Sequence, residues 1–312
     1  MARPCFQVAI DTEGDNLWAR PLTATTRNAE YLPRFQRLCE KYALKPTYLV
    51  NWEMAHSPVF RELGHDILKR STGEIGMHLH AWDSPPIIPL TANDAEQHPY
   101  LIEYPEVVMR EKVRTLTDTL EDFFQIKMVS HRAGRWAFSD VYARILAEHG
   151  YKVDCSVTPH VSWKLVTGVA GGSGGSNYTE FPDYSYWMDL GEAKLLEVPV
   201  SIVQKAPGMF MRELRRVFRK PLLRTLWLRP NGRNLQDMLY VMSEALQRGR
   251  DYAQFMLHSS ELMPGGSPTF DTAGKIETLY AHMEEVFSRA RENFDGATLS
   301  EFADGYAPSS AR

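Results

Sequence analysis

The feature that most restricts the fold of this chain is an alternation. Short apolar runs with the character of buried strands are followed, again and again, by segments of helical period. The runs expected as strands are 5–11, 46–52, 74–82, 128–133, 152–157, 195–202 and 253–259, with a weaker one at 297–302. Between them, 28–43, 58–70, 106–126, 138–149, 234–248 and 272–293 carry apolar residues at helical spacing, such as Tyr31, Phe35, Leu38 and Tyr42 in the first. Ser139 and Gly150 punctuate one of these helices. Repeated strand–helix units imply parallel strands joined by right-handed crossovers. Roughly seven or eight units over about 300 residues suit an α/β fold of the (β/α)7–8 barrel kind better than an open doubly wound sheet. The chain therefore reads as a single domain, 1–312, with insertions at about 160–190 and 205–232.

Several function classes are excluded early. The net charge of −4 argues against a nucleic-acid binder, so no nucleic acid is expected as partner. No apolar run is long enough for an integral membrane segment, and no secretory signal is recognisable, so a cytoplasmic protein is expected. The first strand runs into Asp-Thr-Glu-Gly-Asp and not into a glycine-rich dinucleotide fingerprint. Only three cysteines occur, far apart, so neither a disulfide framework nor a thiolate metal site is supported. Any bound metal must use imidazole and carboxylate.

The insertions carry their own signals. Gly-Gly-Ser-Gly-Gly-Ser at 171–176 reads as a flexible loop, either plain or covering a substrate. Segment 212–229 holds six arginines and one lysine against one glutamate, with apolar residues interspersed. It reads as a solvated basic helix, or as a surface for a phosphate-bearing substrate or for peripheral membrane contact.

Polar residues gather at strand C-termini, where parallel barrels place their active sites. Strand one ends in Asp11, Glu13 and Asp15; strand three in His78, His80 and Asp83; strand four in His131 and Arg132. Strand five carries Asp154, and strand seven ends in His258 with Glu261 beyond. Residues i and i+2 of a strand share a face, so His78 and His80 can reach one ion, and Asp11 and Glu13 point together. Two carboxylates on one face repel unless a cation or proton separates them. Either Glu13, Asp15 or Asp83 can complete such a site. Arg132, at the end of an apolar strand, calls for a carboxylate such as Asp11.

At these residues the chain resembles the polysaccharide deacetylase family, carbohydrate esterase family 4, with its NodB homology domain. The resemblance covers roughly residues 5–304. It rests on Ile10-Asp11-Thr12-Glu13-Gly14-Asp15, on Glu74-Ile75-Gly76-Met77-His78-Leu79-His80, on His131-Arg132-Ala133-Gly134-Arg135-Trp136 and on Leu257-His258. The chain departs from the family in three places. The adjacent aspartate pair is spread out as D-T-E-G-D, the histidines stand at i, i+2 instead of i, i+4, and Arg132 lacks a following proline. It is similar in this to the divergent WalW-like branch. The resemblance implies a distorted barrel of the NodB type. It implies Asp11 as base, Arg132 as its tether, His258 as acid, and Glu13, His78 and His80 as metal ligands. The metal would be divalent, zinc first, with cobalt, manganese or nickel as alternatives.

The activity so implied is a metal-dependent hydrolase, a carbohydrate N-deacetylase, that frees an amino sugar in a saccharide or glycan precursor, as in surface-polysaccharide biosynthesis. Trp82, Trp136, Arg135 and Tyr186 are the expected substrate contacts, with Tyr184 and Trp187 as further stacking candidates. Two alternatives stand beside it. One is a metal-free glycoside hydrolase using Asp11 with Asp154 or Glu261. The other is a catalytically inactive glycan-binding homologue.

Overall fold

A computed structural model gives the fold and describes residues 3–19, 23–206 and 223–306. Five parallel strands form the heart of the main sheet: β1 (Cys5–Thr12), β2 (Pro46–Val50), β3 (Glu74–Leu79), β4 (Ser130–Ala133) and β5 (Val153–Asp154). β6 (Tyr186–Trp187) pairs antiparallel with β7 (Leu196–Glu197), which lies beside β5. A separate antiparallel hairpin joins β8 (Ile202–Lys205) and β9 (Arg224–Trp227). On the other side of β1 stand β10 (Tyr252–His258) and the short β11 (Asp295–Gly296), both parallel to it. The order is therefore β10-β1-β2-β3-β4-β5-β7-β6, with β11 on β1.

The sheet curls. β1 and β4 are three strands apart, about 14 Å in a flat sheet. Yet the Arg132 guanidinium on β4 reaches Asp11 on β1 at 2.6 Å and Gln254 on β10 at 2.7 Å. Only a strongly curved sheet brings these concave-face side chains together. Where the ring would close, irregular chain takes over: Gln254 N–H donates to Ser201 Oγ and Met256 N–H to the Leu228 carbonyl. This is the α/β barrel expected from the strand–helix alternation, distorted as the family resemblance implies.

The helices follow their sequence signals closely. Leu32–Lys41, Pro58–Arg70, Glu106–Phe124, Asp140–Glu148, Leu235–Gln247 and Ala273–Asn293 cover the convex face. Glu106–Phe124 buries Val113, Leu116, Leu120 and Phe124, one stripe at helical period. Ser139 caps its helix by accepting from Tyr142 N–H.

Three expectations need correction. Residues 297–302 are not a strand: Thr298 and Glu301 form a capping box and Leu299–Gly305 is a helix. The run 195–202 is broken after Glu197, because Pro199 offers no N–H to a ladder. Of the basic segment 212–229, residues 212–222 lie outside the described residues, and 224–227 form strand β9, not a helix.

Candidate active site

Parallel register sets the first contacts. Asp11 stands opposite His258 across β1 and β10, and His78 opposite Arg132 across β3 and β4. The period of two then projects Asp11 and Arg132 into the concave face, where they form a fully buried ion pair at 2.6 Å. Arg132 also donates through Nε to the Cys155 carbonyl and through Nη2 to Gln254. Its guanidinium lies 5.2 Å over the Trp136 ring. Burial pushes the Asp11 carboxyl up, but Arg132, His78 and His258 together outweigh this and hold the carboxyl below its usual range.

His78 and His80 share a face, as the i, i+2 spacing requires. His78 Nδ1 lies 3.0 Å from the Arg132 carbonyl, which only an N–H can face, so His78 presents a lone pair at Nε2. That Nε2 lies 3.0 Å from His80 Nε2, and Glu13 Oε2 is 3.5 Å and 3.3 Å from the two. Two imidazole nitrogens and a carboxylate converge there, all within 4.8 Å of one another. Such a triangle needs a positive charge at its centre, and its nitrogen and oxygen donors suit a divalent ion such as zinc. Burial works against the charged form of Glu13, but His258, His78 and His80 hold its carboxyl well below the usual range. Burial likewise opposes a charged His80, but Asp83 and Glu13 raise it to about 10. In both cases the polar surroundings call for positive charge between these groups.

His80 is clamped by its neighbours. Trp82 stacks on its ring at 4.5 Å and 18°. Gly134 abuts its edge, where a Cβ would stand 2.3 Å from Cδ2. The next two residues, Arg135 and Trp136, both hold left-handed backbone at φ 54° and 60°, a strained pair costing about 1–3 kcal/mol each. Arg135 lines both of two adjoining cavities.

His258 Nε2 lies 3.7 Å from Asp11 Oδ2 and 3.9 Å from Glu13 Oε1. Its Nδ1 faces Glu261 Oε2 at 3.2 Å, and Arg229 Nη2 approaches both residues. Burial would raise the Glu261 carboxyl, but Arg229 and His258 hold it down at about 2. Trp18, 41% exposed, meets the His258 ring edge-on.

These groups floor a cavity of about 290 Å³ whose walls include Trp18, Trp82, Tyr100, Trp136 and Trp163. A second cavity of about 480 Å³ adjoins it, sharing Leu17, Trp82 and Arg135. The loop before the glycine-serine stretch contributes Trp163, whose backbone N–H donates to the Ser176 carbonyl and whose indole N–H donates to Thr158 Oγ1.

The remaining sequence candidates separate. Asp15 faces away, accepting from Thr25, Arg27 and Asn28, and so organises its own loop. Asp83 lies on the far side of His80, with Glu53. Tyr186 lies on β6 and does not line the central cavity. Asp154 is fully buried in bonds to His131 and Ser156, so it cannot serve as a second carboxylate beside Asp11. Glu261 is already engaged by Arg229 and His258. The sequence reading missed Glu53, Trp18, Trp163 and the specific role of Arg229. Glu53 follows Asn51 at the end of the second strand, so the strand-end rule would have reached it.

No family model and no curated protein matches this sequence. Solved structures match the fold. A Mycobacterium smegmatis protein, provisionally described as a polysaccharide deacetylase, aligns over 97% of this chain and 93% of its own with TM-score 0.53 and 16% identity. The 4-α-glucanotransferase of Thermococcus litoralis aligns with TM-score 0.59 and 15% identity, over 99% of this chain but only 41% of that enzyme. A CE4-family pseudoenzyme from Bacillus anthracis aligns over 97% and 66% at 10% identity, with TM-score 0.45. At such identities the likeness is one of fold, and the fold is that of the distorted deacetylase-type barrel.

Proposed function

We propose that this chain is a metal-dependent carbohydrate N-deacetylase that hydrolyses the acetamide of an amino sugar within a saccharide or glycan precursor. The spread D-T-E-G-D and the His-x-His spacing support placing it in the WalW-like branch. One observation carries the reading: Glu13, His78 and His80 converge within 4.8 Å, beside a buried aspartate that Arg132 keeps ionised.

Glu13, His78 and His80 hold the ion. A divalent cation there supplies Lewis acidity for the acetyl carbonyl and for the attacking water. Asp11 keeps Oδ1 on Arg132, leaving Oδ2 to take the proton of that water as its oxygen bonds to the carbonyl carbon. His258, oriented through Nδ1 by Glu261, protonates the amine nitrogen from Nε2 as the C–N bond breaks. Acetate and a free amine result. Trp18, Trp82 and Trp136 offer apolar faces for sugar rings, and Arg135 borders both cavities, which together give room for more than one sugar unit. A soluble precursor or a lipid-linked one with a diphosphate would present anionic groups that the basic 212–229 sequence could meet.

Acetate release from a panel of N-acetylated saccharides tests this. Release that stops with chelator and returns with zinc is expected. Saccharide binding without acetate release would favour an inactive binder, and release of sugar in place of acetate would favour a glycosidase.

A further inference from the structure

On the side of His80 away from Glu13, a second set of polar atoms converges. Glu53, His80 and Asp83 each present one atom within 4.8 Å of the others. His80 is only 4% exposed, yet its Nδ1 has no hydrogen-bond partner among the described residues, and neither has Glu53 Oε2. Asp83 Oδ2 stands 3.8 Å from that Nδ1, beyond hydrogen-bond length.

The rest of Glu53 is firmly held. Its Oε1 accepts from Gly14 N–H at 3.2 Å and from Asn51 Nδ2 at 2.6 Å. A Cβ at Gly14 would stand 2.8 Å from that oxygen, so a glycine lets the carboxylate sit against the backbone that follows Glu13. Glu53 is thus fixed to the loop carrying one site residue, with its carboxylate within 4.8 Å of a ring nitrogen of another and its second oxygen buried without a partner among the described residues. Asp83 lies on a short turn three residues after His80 and is 24% exposed, so it can close the remaining gap with a small side-chain rotation.

The chemistry of the ring decides what this cluster does. A neutral imidazole that offers a lone pair at Nε2 must carry its proton at Nδ1. That N–H would stand on the side of Asp83 Oδ2, with Glu53 in the same cluster, and an N–H facing such a cluster is a donor, not a ligand to a cation. A histidine that ligates through one nitrogen characteristically donates through the other to such an outer carboxylate, which fixes its tautomer and orientation.

We infer that Glu53 and Asp83 form a carboxylate pair that positions His80, accepting its Nδ1–H and so aiming Nε2 at the centre shared with Glu13 and His78. This rests on the proposed cation site. Both are positioning residues, since neither faces the central cavity where a substrate would react.

The experiment is a calorimetric titration of zinc into the cation-free full chain, wild type, Asp83→Asn, Asp83→Glu and Glu53→Gln, with the thermal midpoint of each cation-free form recorded alongside. The expected result is one zinc per wild-type chain. Asp83→Asn and Glu53→Gln should each bind about 10–100-fold more weakly, with Asp83→Glu recovering part of the loss and midpoints close to wild type. Equal affinity in all four would overturn the inference while leaving the cation site standing. Two zinc ions per wild-type chain, falling to one in Asp83→Asn, would overturn it too, by making the pair a cation site of its own. A wild type that binds no zinc would instead overturn the proposed site itself, and the inference with it.

Discussion

Two histidine–carboxylate clusters stand side by side in this barrel, and their contrast shows what separates an open, charged cluster from a closed one. The first is Glu13, His78, His80, Asp11 and His258, under an open cavity. The second sits on the next strands. His131 bonds Asp154 through Nδ1 at 2.6 Å and Tyr142 through Nε2 at 2.8 Å, and Asp154 in turn accepts from Ser156. Here both ring nitrogens are matched to protein. Burial outweighs the pull of Asp154 and lowers the His131 imidazole, while burial and Asp154 push the Glu197 carboxyl well up. In the closed cluster His131 and Glu197 are both pushed towards their neutral forms. The open one keeps Asp11 and Glu13 ionised although they are as deeply buried, because Arg132 and the facing imidazoles compensate them. Adjacent residues on one strand, His131 and Arg132, serve the two clusters because successive side chains point to opposite faces.

The contrast can be broken most forcefully at Asp11. Asp11→Asn removes the proposed base and leaves Arg132 buried without its counter-charge. Acetate release should fall about 10²–10⁴-fold, and stability by about 3–5 kcal/mol, read by steady-state assay and by denaturant unfolding. Next come the proposed ligands: His78→Ala or Glu13→Gln should abolish stoichiometric zinc in elemental analysis and reduce activity to that of chelator-treated wild type. In the closed cluster the expectation reverses. Asp154→Ala should cost about 2–4 kcal/mol of stability, since it orphans the His131 ring and the Ser156 N–H. Turnover per folded molecule should change little.

The smallest effect sharpens the same point through pH. Glu197 in the folded state sits above its unfolded value of about 4.3, so the folded chain retains a proton that the unfolded chain releases above that pH. Its contribution to stability is full below about pH 4.3 and declines as pH rises towards the folded value. Glu197→Gln, which stays neutral throughout, should therefore gain on wild type between pH 5 and 8, by at most about 1.4 kcal/mol per pH unit. Thermal midpoints of the two proteins across that range test it; a constant difference would mean that Glu197 is ionised in the fold.

Much of the architecture was legible because it depends on periodicity. The helices Pro58–Arg70 and Leu235–Gln247 sit where their apolar spacing put them, and the strand ends brought Asp11, His78, His80, Arg132 and His258 together. What the sequence could not separate was function from support among strand-end groups of like chemistry. His131 and Asp154 carry the same residue types as the site, and only the face of the strand divides them. Asp15 fits the carboxylate pattern as well as Glu13, but turns away to cap its own loop through four hydrogen bonds. The helix at Leu299–Gly305 was announced by Thr298-x-x-Glu301, a local signal stronger than the weak β pattern over it. Glu53 stands at a strand end but belongs to no motif, and its hydrogen bond from Gly14 spans 39 positions along the chain.

The central claim is that Glu13, His78 and His80 hold one divalent ion on which hydrolysis depends. The most direct test is acetate release by protein stripped of metal, measured before and after one equivalent of zinc, with His78→Ala run in parallel. The account predicts no release before, recovery after, and none from the variant under either condition. Release that is the same with and without metal, or a variant as active as wild type, would contradict it.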